Sequence, residues 1–336
     1  MIQQNDDIKQ PVISRDWKKS LKQAFCNWGQ LADFLELDVD AVAINPATKF
    51  PLRVPMSFAS RMVKSNINDP LLRQILPLAQ ERETVDSFID DPLSEERFSK
   101  TTGLLHKYYN RVLLISHPAC AVHCRYCFRR EFDYAAHTQS RSDWQGAFDY
   151  IAAHSEVEEV ILSGGDPLMH DDNMLAWFIA KLEKLKPVKT LRFHSRIPVV
   201  LPERITEPLL TLLKNSRFNI VLVIHMNHAN EMDNEVIAVL KALSEAGVKL
   251  LNQSTLLKGI NDDAWVLKDL SEVLFFNGVM PYYLHVLDHV KGAAHFAIAD
   301  SEAKAIHTEL KAISAGYLVP KLVREIADES AKTWMG

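Results

Sequence analysis

Cys120-Ala121-Val122-His123-Cys124-Arg125-Tyr126-Cys127-Phe128-Arg129-Arg130 holds three of the chain's four cysteines within eleven residues. Thiolates are soft ligands, suited to iron–sulfur clusters and to zinc. Three of them leave one coordination position open, which a catalytic centre needs and a sealed structural site avoids. His123 offers a fourth ligand, so a zinc site is the alternative for the stretch taken alone.

The surroundings of the stretch favour a cluster. It follows a short β-branched run at 112–116. Five more such runs come after it, at 159–163, 190–193, 219–224, 249–253 and 282–287. Between them lie amphipathic stretches at 144–154, 173–184, 203–214, 231–245 and 264–275, with another at 301–314 after the sixth run. Their apolar residues recur at three- and four-residue intervals, as helices require. Strands alternating with helices predict βαβ units and a parallel sheet. Six units predict an α/β fold built as a partial (β/α)6 barrel, short of the eight-unit barrel. Active sites in such folds lie at the C-terminal ends of the strands, where the cysteine loop falls. Residues 1–105 read as a helical N-terminal extension, 106–329 as the core and 330–336 as a C-terminal tail. In the extension, Ser14 is the expected cap of a helix through Trp17, Leu21 and Phe25, and a second helix is expected from Leu71 to about Glu83. Cys26 reads as a small buried hydrophobe. A further apolar run covers 317–326.

Composition narrows the setting. The 336 residues are 47% hydrophobic and 24% charged, enough to bury a large core. Net charge is −5 with no block of like charge, so electrostatics give no support to a nucleic-acid partner. The first seven residues have neither a basic region nor an apolar run, unlike a signal peptide. No stretch approaches the roughly 18 apolar residues of a membrane span. The cysteines do not form a disulfide framework, so a soluble, cytoplasmic protein in a reducing compartment is expected.

Cys-x3-Cys-x2-Cys, followed by Leu162-Ser163-Gly164-Gly165-Asp166-Pro167-Leu168 at the end of the second strand, resembles the radical S-adenosylmethionine (radical SAM) superfamily. The resemblance implies a [4Fe–4S] cluster on Cys120, Cys124 and Cys127, with SAM chelating the unique iron. It places Gly164, Gly165 and Asp166 at the methionine part of SAM, where glycines permit close backbone approach. The segments Gly103–Leu114, Cys127–Arg130, Ser195–Thr206, His225–Glu231 and Asn252–Asp262 resemble lysine 2,3-aminomutases, and the likeness runs from about Phe50 to Lys332. These enzymes use pyridoxal phosphate (PLP) with SAM to move an amino group from C2 to C3 of lysine. By this resemblance Lys332 is the PLP lysine, reached at the family's spacing from Gly316-Tyr317-Leu318-Val319-Pro320. Asp328-Glu329-Ser330-Ala331 stands where the family has glycines. Tyr108 and Arg111 match phosphate-side contacts of PLP. Arg129 matches the substrate-carboxylate residue, a role suited to the planar guanidinium fork. Asp288 matches a carboxylate receiving the ε-ammonium, and Glu325 stands where the family has a second, an aspartate. His225 and Gln253 are expected to line the SAM and PLP pocket.

The sequence read ends just past Lys332, so the cysteine-bearing extension of the catabolic enzymes is expected to be missing. With Trp334-Met335-Gly336 and the replaced glycines, this resembles the bacterial branch that makes (R)-β-lysine for elongation factor P. That resemblance implies lysine as substrate, an external electron donor, and a functional link to elongation factor P and its lysyl-tRNA-synthetase-like ligase. The alternatives are a free-standing aminomutase of lysine catabolism, a PLP-independent radical SAM activating protein, and a zinc-stapled binding module.

Overall fold

All six expected strands form, and a seventh joins them. The computed structural model describes residues 16–40, 42–45, 48, 50–132 and 141–336. Within these residues ten strands make one sheet in sequence order. Strands β1 (Ser99–Thr101), β2 (Leu104–Tyr108) and β3 (Arg111–His117) form an antiparallel meander. From β3 the sheet runs parallel through β4 (Glu159–Gly164), β5 (Thr190–Ser195), β6 (Asn219–His225), β7 (Lys249–Leu256), β8 (Met280–Val286) and β9 (Lys321–Arg324). Strand β9 comes from the apolar run at 317–326. A short β10 (Thr333–Trp334) returns antiparallel onto β9. The central strands are apolar almost throughout, as in Ile220–Ile224, because parallel strands are covered on both faces.

The sheet is open, since no backbone ladder joins its first and last strands. Side chains next to them bridge the two ends instead. Tyr108 at the end of β2 donates its hydroxyl to Glu325, just after β9, at 2.5 Å, and Lys107 pairs with the same carboxylate. The expected boundary between 105 and 106 falls inside β2, so the N-terminal region runs directly into the sheet.

Helices α1 (Trp17–Lys22), α2 (Trp28–Leu35), α3 (Met56–Ala59) and α4 (Pro70–Arg73) are short and precede the sheet. Asp16 caps α1; the expected cap, Ser14, lies outside the described residues. The helix expected to reach Glu83 stops at Arg73. Pro77 explains this, because proline lacks an N–H and clashes with the preceding turn. Cys26 is exposed, contrary to expectation, in the turn before α2. Helices α5 (Gln145–Ala153), α6 (Asp172–Leu182), α7 (Ile197–Val200), α8 (Glu207–Lys214), α9 (Asn234–Glu245), α10 (Ala264–Phe276) and α11 (Asp300–Ile313) cover the sheet. Asp171, Thr206, Asp233 and Asp263 cap α6, α8, α9 and α10 with their side chains, each worth about 1 kcal/mol.

The core falls into parts. The largest runs from Leu31 and Phe58 through β3–β7 and helices α5–α10. A second, smaller one packs Leu256, Leu284, Val286 and Leu322 against Leu267 of α10 and Ala303 and Leu310 of α11. A third holds Leu257, Leu287, Val290 and Phe296, with Tyr126 of the cysteine loop against it. Among the described residues no helix is long and apolar enough to cross a membrane.

Candidate active site

The loop after β3 is pinned from both sides by arginines. Arg125 is wholly buried and donates through Nε to Glu81 at 2.6 Å. Arg130 reaches the same Glu81 carboxylate at 2.8 Å. His123 turns away from the cysteines: its ring stacks on Phe50 at 4.5 Å and Nδ1 lies 2.7 Å from the Pro51 carbonyl. Among the described residues no three His, Cys, Asp or Glu side chains converge as ligands of a single ion. Three thiolates spread over the corners of a cluster need no such convergence. Burial pushes the Cys127 thiol up to about 11 and raises that of Cys120, so thiolates here need a metal to hold them.

Strand β4 ends against this loop. Gly165 donates to the His117 carbonyl at 2.7 Å, and Asp166 N–H to that of Ala119 at 3.0 Å. A Cβ on Gly165 would stand 2.6 Å from the Ala119 oxygen, and one on Gly164, at φ +114°, 2.7 Å from that of His117. The paired glycines therefore seat the cysteine loop on the sheet. Gly165→Ala is expected to displace it, with about 3 kcal/mol lost. Thermal denaturation and iron content check this; an unchanged Tm with full iron loading would count against it.

Asp166 lines the cavity, yet its carboxylate is spent within the fold. It accepts from Ser195 Oγ at 2.8 Å and from the amides of Leu168, Arg196 and Ile197. Burial still pushes this carboxyl up to about 6, against those donors. The tie fixes Arg196, a residue the sequence did not single out. Arg196 donates to Cys124 Sγ at 2.8 Å, Tyr126 OH at 2.8 Å, Gln74 at 2.6 Å and Glu231 at 2.9 Å. Burial opposes its charge, but Cys124, Tyr126 and Glu231 hold it protonated.

Every site residue anticipated from sequence lines one cavity of about 300 Å³, which runs from the C-terminal ends of the central strands to Arg111 at the start of β3. Lys332 reaches it from just before β10. Its Nζ lies 2.5 Å from Glu325 Oε2 and 5.6 Å from the ring centre of Tyr283. Lys107 and Tyr108 hold the other oxygen of Glu325. Burial alone would raise the Glu325 carboxyl, but Lys332 and the bonds from Lys107, Lys332 and Tyr108 bring it down to about 2. Glu325 therefore faces the lysines, where the resemblance had it receiving a substrate amine. Arg111 stacks over Tyr108, 4.2 Å from the ring centre.

Arg129 is buried, and its fork is engaged. Nε and Nη2 donate to the two oxygens of Glu95 at 2.8 and 2.6 Å, while Nη1 donates to Ser163 Oγ and the Gly164 carbonyl. Asp288 differs from the other acids, because no protein donor among the described residues bonds its carboxylate. Burial pushes that carboxyl up to about 7, opposed by Lys332. Gln253 donates to His225 at 2.7 Å, and burial holds His225 neutral, down to about 3. His194 and His285, also unforeseen, are kept neutral by burial, and each has a buried Nε2 without a partner. Their positions at the ends of β5 and β8 were the one available signal.

The donor set suits a cluster and a phosphate-bearing imine cofactor. Three thiols share one loop, Lys332 and Arg111 line the same cavity, and among the described residues two imidazole nitrogens and the Asp288 carboxylate in it have no hydrogen-bond partner from the protein.

Comparison with known proteins agrees. The radical SAM superfamily domain matches residues 114–270. The chain is 50% identical over 321 residues to the L-lysine 2,3-aminomutase of Escherichia coli (strain K12), covering 95% of this chain and 94% of that protein. It is 47% identical to that of Haemophilus influenzae, covering 97% of each. With the L-lysine 2,3-aminomutase of Clostridium subterminale it shares 38% identity over 267 residues, 79% of this chain and 64% of the relative.

Proposed function

Because this chain belongs to the lysine 2,3-aminomutase family of the radical SAM superfamily, we propose that its pocket converts (S)-α-lysine to (R)-β-lysine by 2,3-amino migration. The observation that carries this is the meeting of Cys120, Cys124, Cys127, Arg129, Asp288 and Lys332 in one cavity. The family's cofactors are a [4Fe–4S] cluster, SAM and PLP. Bound together, they supply an adenosyl radical and a ring that delocalises an unpaired electron. The rest falls to the chain. Cys120, Cys124 and Cys127 hold the cluster. Gly164 and Gly165 seat the cysteine loop on the sheet and would let backbone approach SAM closely. Lys332 carries PLP, Arg111 and Tyr108 face its phosphate, and His225, Gln253, His194 and His285 offer neutral polar atoms to the bound groups. Arg129 takes the substrate carboxylate and Asp288 its ε-ammonium, which fixes the hydrogen presented at C3. Glu325 serves as the counter-ion of Lys332, leaving Asp288 as the acid for the amine. Anaerobic incubation with SAM, PLP, reductant and labelled lysine tests the assignment; β-lysine is the expected product, and its absence with all cofactors loaded refutes it.

The Asp288 assignment carries a pH signature. The charged groups facing this carboxyl are Lys332, Glu325, Glu95 and Arg324. An ammonium needs the ionised acid, and the raised value means that ionisation is lost as pH falls through about 7. Below that point KM for lysine is expected to rise by up to about tenfold per pH unit. Asp288→Asn should raise KM about a hundredfold and flatten the profile; a variant that keeps the wild-type limb counts against Asp288.

The product's destination is proposed to be elongation factor P, through its lysyl-tRNA-synthetase-like ligase. Support comes from the near full-length match to relatives of similar size and from Asp328–Ala331 in place of the glycines. Turnover on free lysine with and without ligase and factor separates this from a catabolic aminomutase, which needs neither.

A further inference from the structure

Arg129 already holds a carboxylate. Glu95 grips Nε and Nη2 through two hydrogen bonds of 2.8 and 2.6 Å, the two-pronged arrangement by which a guanidinium binds a carboxylate ligand. Nη1 is turned the other way, onto Ser163 and Gly164. A substrate carboxylate therefore cannot take the same edge of Arg129 while Glu95 stays.

The segment carrying Glu95 is built to let go. Ser94 lies in the left-handed region at φ +50°, unfavourable for a residue with a side chain. Glu95–Phe98 is a single 3-10 turn. Its outward tie, Arg97 to Asp328 at 2.9 Å, is an exposed ion pair of the kind that contributes little. Leu93, Glu95 and Phe98 line the cavity, so the segment forms part of its wall. Arg129 is deeply buried, and a substrate carboxylate would supply the negative charge that Glu95 withdraws.

We propose that Glu95 is an internal placeholder for the substrate's α-carboxylate, so that lysine binds by exchanging its own carboxylate for that of Glu95. The exchange sets a specificity: a lysine whose carboxyl is tied up in an amide has nothing to exchange. The inference rests on Arg129 being the carboxylate seat. A closed placeholder lowers apparent affinity by the fraction of molecules it occupies. In reconstituted holoenzyme, Glu95→Gln is expected to lower the Kd of lysine, read by calorimetry, by about tenfold. Glu95→Asp, one methylene shorter, gives a smaller drop and serves should the amide variant fail to fold. In Glu95→Ala, acetate is expected to raise the lysine Kd by competition, with no such effect in the wild type. A Kd unchanged or raised in Glu95→Gln, or no acetate effect in Glu95→Ala, overturns the proposal and makes Glu95 a fixed positioning partner. Arg129→Gln separates the two layers. Unimpaired lysine binding in that variant removes the seat itself and the placeholder with it. Weakened binding there without tightening in Glu95→Gln removes the placeholder alone.

Discussion

Lys332→Ala is expected to abolish 2,3-amino migration, by at least about a thousandfold, while the cluster remains and SAM is still cleaved slowly. Among the described residues two lysines line the cavity. Lys107 is bound both to Glu325 and to the Ile326 carbonyl at 2.5 Å, which marks it as a wall residue. Among the described residues, the Lys332 ammonium has Glu325 as its one hydrogen-bonded partner and lies over the face of Tyr283. The side chain is held in place yet has only one bond to give up. Product analysis with labelled lysine, 5′-deoxyadenosine quantification and the visible absorbance of lysine-bound PLP together read the outcome. Normal β-lysine formation by the variant would sink the assignment.

Replacing any one of Cys120, Cys124 or Cys127 by alanine is expected to remove the brown chromophore and, with it, SAM cleavage to background. The loop itself should survive, because Arg125 and Arg130 anchor it on Glu81 independently of the thiols. Circular dichroism should therefore match the wild type while iron and sulfide fall together. An alanine variant with a full cluster that still cleaves SAM contradicts the ligand set, and zinc in place of iron revives the zinc-stapled module.

The strands were legible because parallel strands read as unbroken apolar runs, and the cysteine loop because three thiols in eleven residues have few uses. The helices between strands showed their periodicity for the same reason of one-sided burial. Less visible were features set by long-range contact. Pro77, by contrast, is a local signal: it keeps the helix after Leu71 from reaching Glu83. Arg196 lies in the Ser195–Thr206 segment, but nothing local gives it a role; its contact with Cys124 depends on Asp166, Gln74 and Glu231, which come together only in the fold. Glu325 lines the cavity, but its partner Tyr108 comes from β2, 217 residues earlier, and no local pattern announces that. Glu95 was missed altogether, since an acid in a polar turn looks like solvated surface until the buried guanidinium facing it is known.

The division of the core has a consequence for how the molecule yields. The wall bearing the cysteines shares the largest apolar cluster with most of the helices, whereas Leu284, Val286 and Leu322 under β8 and β9 rest on a much smaller one. Regions with fewer buried apolar contacts open at lower free energy than the body of a domain. The edge that delivers Lys332 is thus expected to open at lower free energy, with amide protons there exchanging with solvent ahead of those beneath the cysteine loop. One half of the pocket is rigid ground for radical generation; the other is a hem that can loosen and refasten without disturbing it.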